Sequence, residues 1–112
     1  EDVFEFVPDQ VIVNEYLPGQ GIAAHVDCEP CFGDIIASLS LGSACTMEFT
    51  EVRSGEAIEH YLEPTSLLVL SGESRFHWKH GIPARRSDLT DGVARPRGRR
   101  ISLTFRNVVR TS

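Results

Sequence analysis

No apolar run in the sequence approaches the roughly 20 residues that a helix needs to span a bilayer, and no stretch has the order of a secretory signal. Both absences point to a cytoplasmic protein without a membrane segment. Cysteine is scarce: Cys28, Cys31 and Cys45 make an odd count, which suits reduced thiols better than a disulfide framework. Cys28-Glu29-Pro30-Cys31 is a C-x-x-C pair, but no second pair is present to complete a zinc site. There is no low-complexity run, no internal repeat, no long amphipathic helix and no initiator Met. What remains is 112 residues of ordinary globular composition, 41% hydrophobic and 24% charged. They read as one domain over residues 1–112, small enough that its core has little stability to spare. The first residues already resemble the lead-in to a strand, so the chain is expected to be the core of something longer.

Basic residues are nearly missing from the first two thirds. Up to Ser74 there are 14 acidic residues and a single basic one, Arg53. From Arg75 onward there are ten basic residues against Asp88 and Asp91. The net charge of −5 therefore conceals a basic portion that can hold a polyanion, and nucleic acid is not excluded.

Short alternating segments separated by Gly, Pro and Asp predict an all-β antiparallel sandwich or barrel. Strands are expected at Gln10–Tyr16, Ile35–Leu41, Thr46–Thr50, Ala57–Leu62, Leu67–Leu70 and Arg100–Val108, with a turn at Leu17–Gly21. In the last strand Ile101, Leu103 and Phe105 share one face and Arg100, Ser102, Thr104 and Arg106 the other, because successive side chains alternate. Ala84–Arg99, broken by Gly92, Pro96 and Gly98, reads as a mobile loop at the mouth of the barrel. Phe32, Phe49 and Trp78 read as packing residues, and Arg75 as tying its own loop.

His25, Asp27 and His80 stand out as a metal site. A facial set of two histidines and one carboxylate leaves one side of a non-haem Fe(II) open. Spacing of i, i+2 lets His25 and Asp27 reach one metal from an extended segment. The distal ligand has rivals in His60 and His77. His80 is preferred because the Gly-Ile step after it permits close backbone approach. Arg100 and Arg106 can each pair with a carboxylate through a fork of donors, and arginines on an inward face call for a buried anion. Asn14 and Tyr16, sharing a face, add an amide and a phenol for the same ligand.

Taken in order, Asn14-Glu15-Tyr16, His25-Val26-Asp27, His80 and Arg100-Ile101-Ser102-Leu103-Thr104-Phe105-Arg106 resemble the signature of the AlkB family, between Pro8 and Arg110. Leu39-Ser40-Leu41-Gly42-Ser43 and Ser71-Gly72-Glu73-Ser74-Arg75 add to it. The wording is nearest the branch that hydroxylates wobble uridine in tRNA. The resemblance implies a double-stranded β-helix, or jelly roll, here without the family's N-terminal lid and covering helices. It implies Fe(II) on His25, Asp27 and His80, and 2-oxoglutarate on Asn14, Tyr16 and Arg100. Arg100 would take the distal carboxylate and Arg106 the iron-chelating end, with Ser102 standing where many of the family have Asn. The implied activity is a dioxygenase that hydroxylates alkylated or modified bases in RNA or single-stranded DNA, releasing succinate and CO2. Glu29 lies where some of the family place an acidic base-reading group, and Arg85, Arg86, Arg95 and Arg97 are candidate phosphate contacts. A catalytically weak nucleic-acid-binding module and a protein hydroxylase are the alternatives.

Overall fold

The computed structural model describes residues 7–109, so the strand lead-in expected at the first residues and the end of the family signature at Arg110 lie outside it. The described residues form β1 (Gln10–Tyr16), β2 (Ile22–His25), β3 (Ile36–Gly42), β4 (Cys45–Glu51), β5 (Ala57–Leu62), β6 (Leu67–Leu70), a helical turn α1 (Glu73–Phe76), β7 (Trp78–Ile82), β8 (Ser87–Thr90), β9 (Val93–Pro96) and β10 (Arg100–Arg106). Two four-stranded sheets, ordered β1-β10-β3-β6 and β2-β7-β4-β5, make up the body of the fold. All their pairings are antiparallel, as the alternating sequence predicts.

Register explains what each face of the first sheet carries. Asn14 lies opposite Ser102 and Ser102 opposite Ser40, while Tyr16 faces Arg100 and Gln10 faces Arg106. These polar pairs look inward. On the other face Val11, Phe105, Ala37 and Val69 form one cross-strand row, and Val13, Leu103, Leu39 and Leu67 the next. Val13 is 62% exposed and Leu67 50%, so among the described residues much of that apolar face is open, although Ala37 within it is buried. The core proper lies between the sheets, where Cys45, Met47, Leu62 and Ile82 pack with Tyr16, Phe49 and Leu68.

Two expectations are corrected. Ala84–Arg99 is not a loop: Ser87–Thr90 and Val93–Pro96 pair as a hairpin around Asp91-Gly92. Both turn residues have positive φ, 52° and 76°, which is the backbone a two-residue turn of matching twist requires and which Asp-Gly favours. Nor are all three thiols free. Cys28 and Cys31 form a disulfide, and only Cys45, buried, remains a thiol. Backbone N–H groups of Cys31 and Phe32 both donate to the Cys28 carbonyl, so the turn brings the two Cα atoms to 5.2 Å, within disulfide range. No helix among the described residues is long and apolar enough to cross a membrane.

The hairpin is anchored by a buried ion cluster. Asp88, 1% exposed, accepts from Arg97 Nε at 2.8 Å and Nη2 at 2.8 Å and from Arg85 Nε at 2.9 Å. Arg97 also donates to the Pro83 carbonyl at 2.8 Å. Burial pushes the Asp88 pKa up, but the Arg97 and Arg85 hydrogen bonds outweigh it and hold the carboxyl at about 2. A carboxyl depressed from its ordinary 3.8 stabilises the fold above that pH and ceases to do so as pH falls through about 2. Asp88→Asn strands the Arg97 charge and is expected to cost about 3–5 kcal/mol in urea unfolding at neutral pH. The gap between variant and wild type should narrow as pH is lowered through that window, and an equal midpoint at neutral pH would refute the assignment.

Candidate metal and cosubstrate site

β2 and β7 bring two distant histidines together. Ile22 pairs with Ile82 and His25 with His80, with an irregularity between them. Gly81 makes this approach possible: a Cβ there would lie 2.8 Å from Ala24 Cα and N and 2.9 Å from the Ile22 carbonyl. The imidazole centroids stand 4.5 Å apart. Asp27 follows just beyond the end of β2 and is 8% exposed. Its Oδ1 lies 3.2 Å from His25 Nε2 and 3.5 Å from His80 Nε2. Its Oδ2 accepts from Arg106 Nη1 at 2.9 Å. The two oxygens are thus divided, one toward the histidines and one toward the arginine.

One ligand atom from each of His25, Asp27 and His80 falls within 4.8 Å of the others, a spacing that a single metal ion can bridge. The His25 Nδ1 is 2.9 Å from the Ala23 carbonyl, an arrangement that leaves Nε2 as the lone-pair nitrogen. Burial, then the neighbouring His25, lowers the His80 pKa to about 4, so its imidazole is neutral near pH 7 and free to donate to a metal. Two imidazoles and one carboxylate oxygen suit Fe(II).

The same cavity, about 320 Å³, runs from these residues along the inner face of the first sheet and is walled by Asn14, Tyr16, Ser102 and Arg100. Arg100 is 3% exposed, donates to Ser40 Oγ at 2.9 Å, and sits 5.3 Å from the Tyr16 ring centroid. Nε of Arg100 and Nε of Arg106 are buried and have no hydrogen-bond partner. A buried guanidinium left short of acceptors is costly unless an anion completes it. Two such groups lining one cavity suit a dicarboxylate such as 2-oxoglutarate.

The other candidates separate. His77 is exposed at the end of α1, and His60 is exposed on β5; neither joins the His25–Asp27–His80 group. Glu29 is exposed on the turn after Asp27. Arg97 is removed from the phosphate-contact set, because it is 8% exposed and its fork is engaged by Asp88. Arg85 bridges Asp88 and, at 3.5 Å, Glu59. Arg86 and Arg95 are exposed, with Arg95 6.0 Å from the Tyr61 ring centroid. The hairpin also joins the sandwich at the Ile82–Arg100 end, where Arg97 reaches the Gln20 and Pro83 carbonyls. Asp27 and Arg106 lie at the other end of β10, about 20 Å away for six residues of strand. The basic hairpin therefore closes the Arg100 end rather than framing the metal end.

Sequence reasoning missed Ser40 as the Arg100 partner and Phe32, whose ring centroid lies 4.2 Å from the Arg106 guanidinium. The Asp-Gly pair between two short alternating runs was the available signal for the hairpin. Cross-strand partners such as Ser40 had none. Gly81→Ala is expected to force β2 and β7 apart and cost about 1–3 kcal/mol in urea unfolding. Gly33→Ala, whose methyl would meet Asn107 Cβ at an ordinary 3.6 Å, should change stability little; equal effects would show that the close approach is dispensable.

Comparison with known proteins agrees with this geometry. Residues 2–106 match the model of the 2OG-Fe(II) oxygenase superfamily. A protein of Acanthamoeba polyphaga mimivirus, named uncharacterized protein L905, is 42% identical over 111 residues, which is 98% of this chain and 53% of that protein. The tRNA (carboxymethyluridine(34)-5-O)-methyltransferase ALKBH8 of Macaca fascicularis is 42% identical over 127 residues, covering 99% of this chain and 19% of the relative. The chain thus spans about half of the first relative and about a fifth of the second. Among solved structures, OsALKBH1 superposes with a TM-score of 0.70 at 26% identity, over 96% of this chain and 53% of that one. The chain belongs to the 2OG-Fe(II) oxygenase superfamily, whose name carries the metal and the cosubstrate that this site suits, and it is similar to AlkB homologues.

Proposed function

We propose that this chain hydroxylates an alkylated or modified base in RNA or single-stranded DNA, as one catalytic domain over residues 1–112. The observation that carries the site assignment is the sharing of Asp27: one oxygen faces His25 and His80, while the other is held by Arg106. On this reading His25, Asp27 and His80 hold Fe(II). Arg100, with Tyr16, Asn14 and Ser102, receives the distal carboxylate of 2-oxoglutarate, and Arg106 guards the iron-chelating end. Fe(II) held there would supply activation of O2, with 2-oxoglutarate as the reductant: one oxygen atom would end in the succinate formed as CO2 leaves, and the other in the hydroxyl that replaces a substrate C–H. Arg100 and Arg106 fix the cosubstrate at both ends, and the apolar walls Ile12, Ile36 and Leu70 keep water from the reacting groups. An N-hydroxymethyl product would release formaldehyde, whereas a hydroxyl placed on a tRNA side chain would remain.

A relative named for an activity on tRNA supports a nucleic-acid substrate. Exposed Arg86 and Arg95 support it too, since phosphate contacts position a polynucleotide without reading bases. Their place at the end away from Asp27 means that the gripped phosphates would lie several nucleotides from the reacting base. Glu29, on the turn beside Asp27, remains the candidate base-reading group.

Anaerobic Fe(II) with 2-oxoglutarate should give the visible charge-transfer band of such a chelate. His80→Ala should abolish the band and His77→Ala should keep it. Arg100→Met should weaken 2-oxoglutarate by roughly 1.5–3 kcal/mol, the worth of a hydrogen bond to a charged group. A band that survives His80→Ala refutes the ligand set. For the substrate, N-methylated RNA, N-methylated single-stranded DNA and bulk tRNA are to be incubated with the loaded enzyme and digested for nucleoside mass spectrometry. Loss of methyl or gain of oxygen in one of them is expected. Replacing Arg86 and Arg95 by Gln should flatten the log–log salt dependence of oligonucleotide binding by about 0.7–0.9 per lost contact. An unchanged slope, or succinate release stimulated only by proteins, would favour the protein-hydroxylase alternative.

A further inference from the structure

The most deeply buried cation outside the cosubstrate face is Arg75, 2% exposed, which the catalytic reading leaves without a task. Its guanidinium donates to the Asp27 carbonyl at 2.9 Å through Nη1, to Cys28 at 3.3 Å through Nη2 and to Gly33 at 3.2 Å through Nε. All these acceptors belong to the segment that leaves β2 and carries Asp27. Asp27 lies past the last paired residue of β2, so ladder hydrogen bonds no longer fix its backbone. Arg75 itself sits in α1, directly before the strand that bears His80. One side chain thus ties the backbone of one ligand to the element leading into another, across 48 residues of sequence.

We propose that Arg75 is a positioning residue for the metal site: it sets the backbone of Asp27 so that the carboxylate presents one oxygen to the metal and the other to Arg106. This rests on the reading of His25, Asp27 and His80 as the ligands. The division of labour is chemical. Arg106 restrains the carboxylate and Arg75 the peptide from which it projects. A carboxylate whose backbone is free to rotate loses the pre-set direction that a metal site requires, and partners of this outer kind change metal affinity about 10–100-fold when removed. The planar fork is essential, because it meets acceptors on separate residues at once. An ammonium is a compact point charge and cannot span them.

Co(II) serves as the probe, through its visible ligand-field absorption in titrations of wild type, Arg75→Met, Arg75→Lys and His80→Ala. Wild type should bind and His80→Ala should not; if wild type shows no site, the ligand reading fails, and the inference with it. If wild type binds and Arg75→Met raises the Co(II) dissociation constant about 10–100-fold with an altered spectrum, while melting cooperatively, the positioning role holds. Arg75→Lys should recover part of the affinity. Wild-type affinity and spectrum in Arg75→Met would overturn the proposal while leaving the ligand reading intact. Loss of the cooperative melting transition in both Arg75 variants would overturn it too, since Arg75 would then serve folding rather than the site.

Discussion

Everything at the site depends on how the two oxygens of Asp27 are shared. One is 3.2 Å and 3.5 Å from the two histidines, and the other is bound by Arg106 at 2.9 Å. This carboxylate stitches the two sheets together, because the histidines come from the β2-β7-β4-β5 sheet and Arg106 from the other. A buried acid with unsatisfied oxygens would be expensive, and so would a buried arginine with no acceptor. Each here satisfies part of the other, and the remaining capacity of both points into the cavity. The open valences of the protein are those that a cation and a dicarboxylate complete.

The molecule is polar along its length in a second sense. At the Arg100 end the hairpin, Arg97 and Asp88 seal the sandwich with a fully engaged ion cluster. At the Asp27 end the backbone is held by the Arg75 fork and by the Cys28–Cys31 turn. Two buried arginines of similar exposure, 2% and 8%, thus brace opposite ends by different means. Arg97 meets a carboxylate, so its charge is compensated; Arg75 meets carbonyls, so its charge adds to the field around the metal end. The charge asymmetry of the sequence maps onto this axis only in part. Several of the late arginines are engaged in structure, and among the described residues the exposed Arg86 and Arg95 sit away from the metal end.

The apolar outer face of the β1-β10-β3-β6 sheet follows from the same alternation that builds the site. Placing Arg100, Ser102 and Arg106 inward obliges Ile101, Leu103 and Phe105 to face out. Exposed β-branched and aliphatic residues at Val11, Val13, Leu67 and Val69 extend that face across the sheet. An apolar face of this kind, left open among the described residues, is a surface that favours contact with another element.

The sequence by itself determined the features that depend only on period and short spacing. Alternation set which side of β1 and β10 carries Asn14, Tyr16, Arg100 and Arg106, and i, i+2 spacing put His25 and Asp27 within reach of one point. The Gly after His80 also told truly, because a missing Cβ is a local fact with a direct steric consequence. What the tertiary structure alone decided depends on register between distant strands. Only that register sets His80 against His25 and Ser40 against Arg100, and leads the Arg75 fork to the Asp27 carbonyl. It also turned an apparently mobile arginine loop into a hairpin sealed onto the far end. In a sequence, a charged side chain shows its chemistry but not its partner; a buried arginine and a phosphate-gripping one are the same letter until the fold decides which is desolvated.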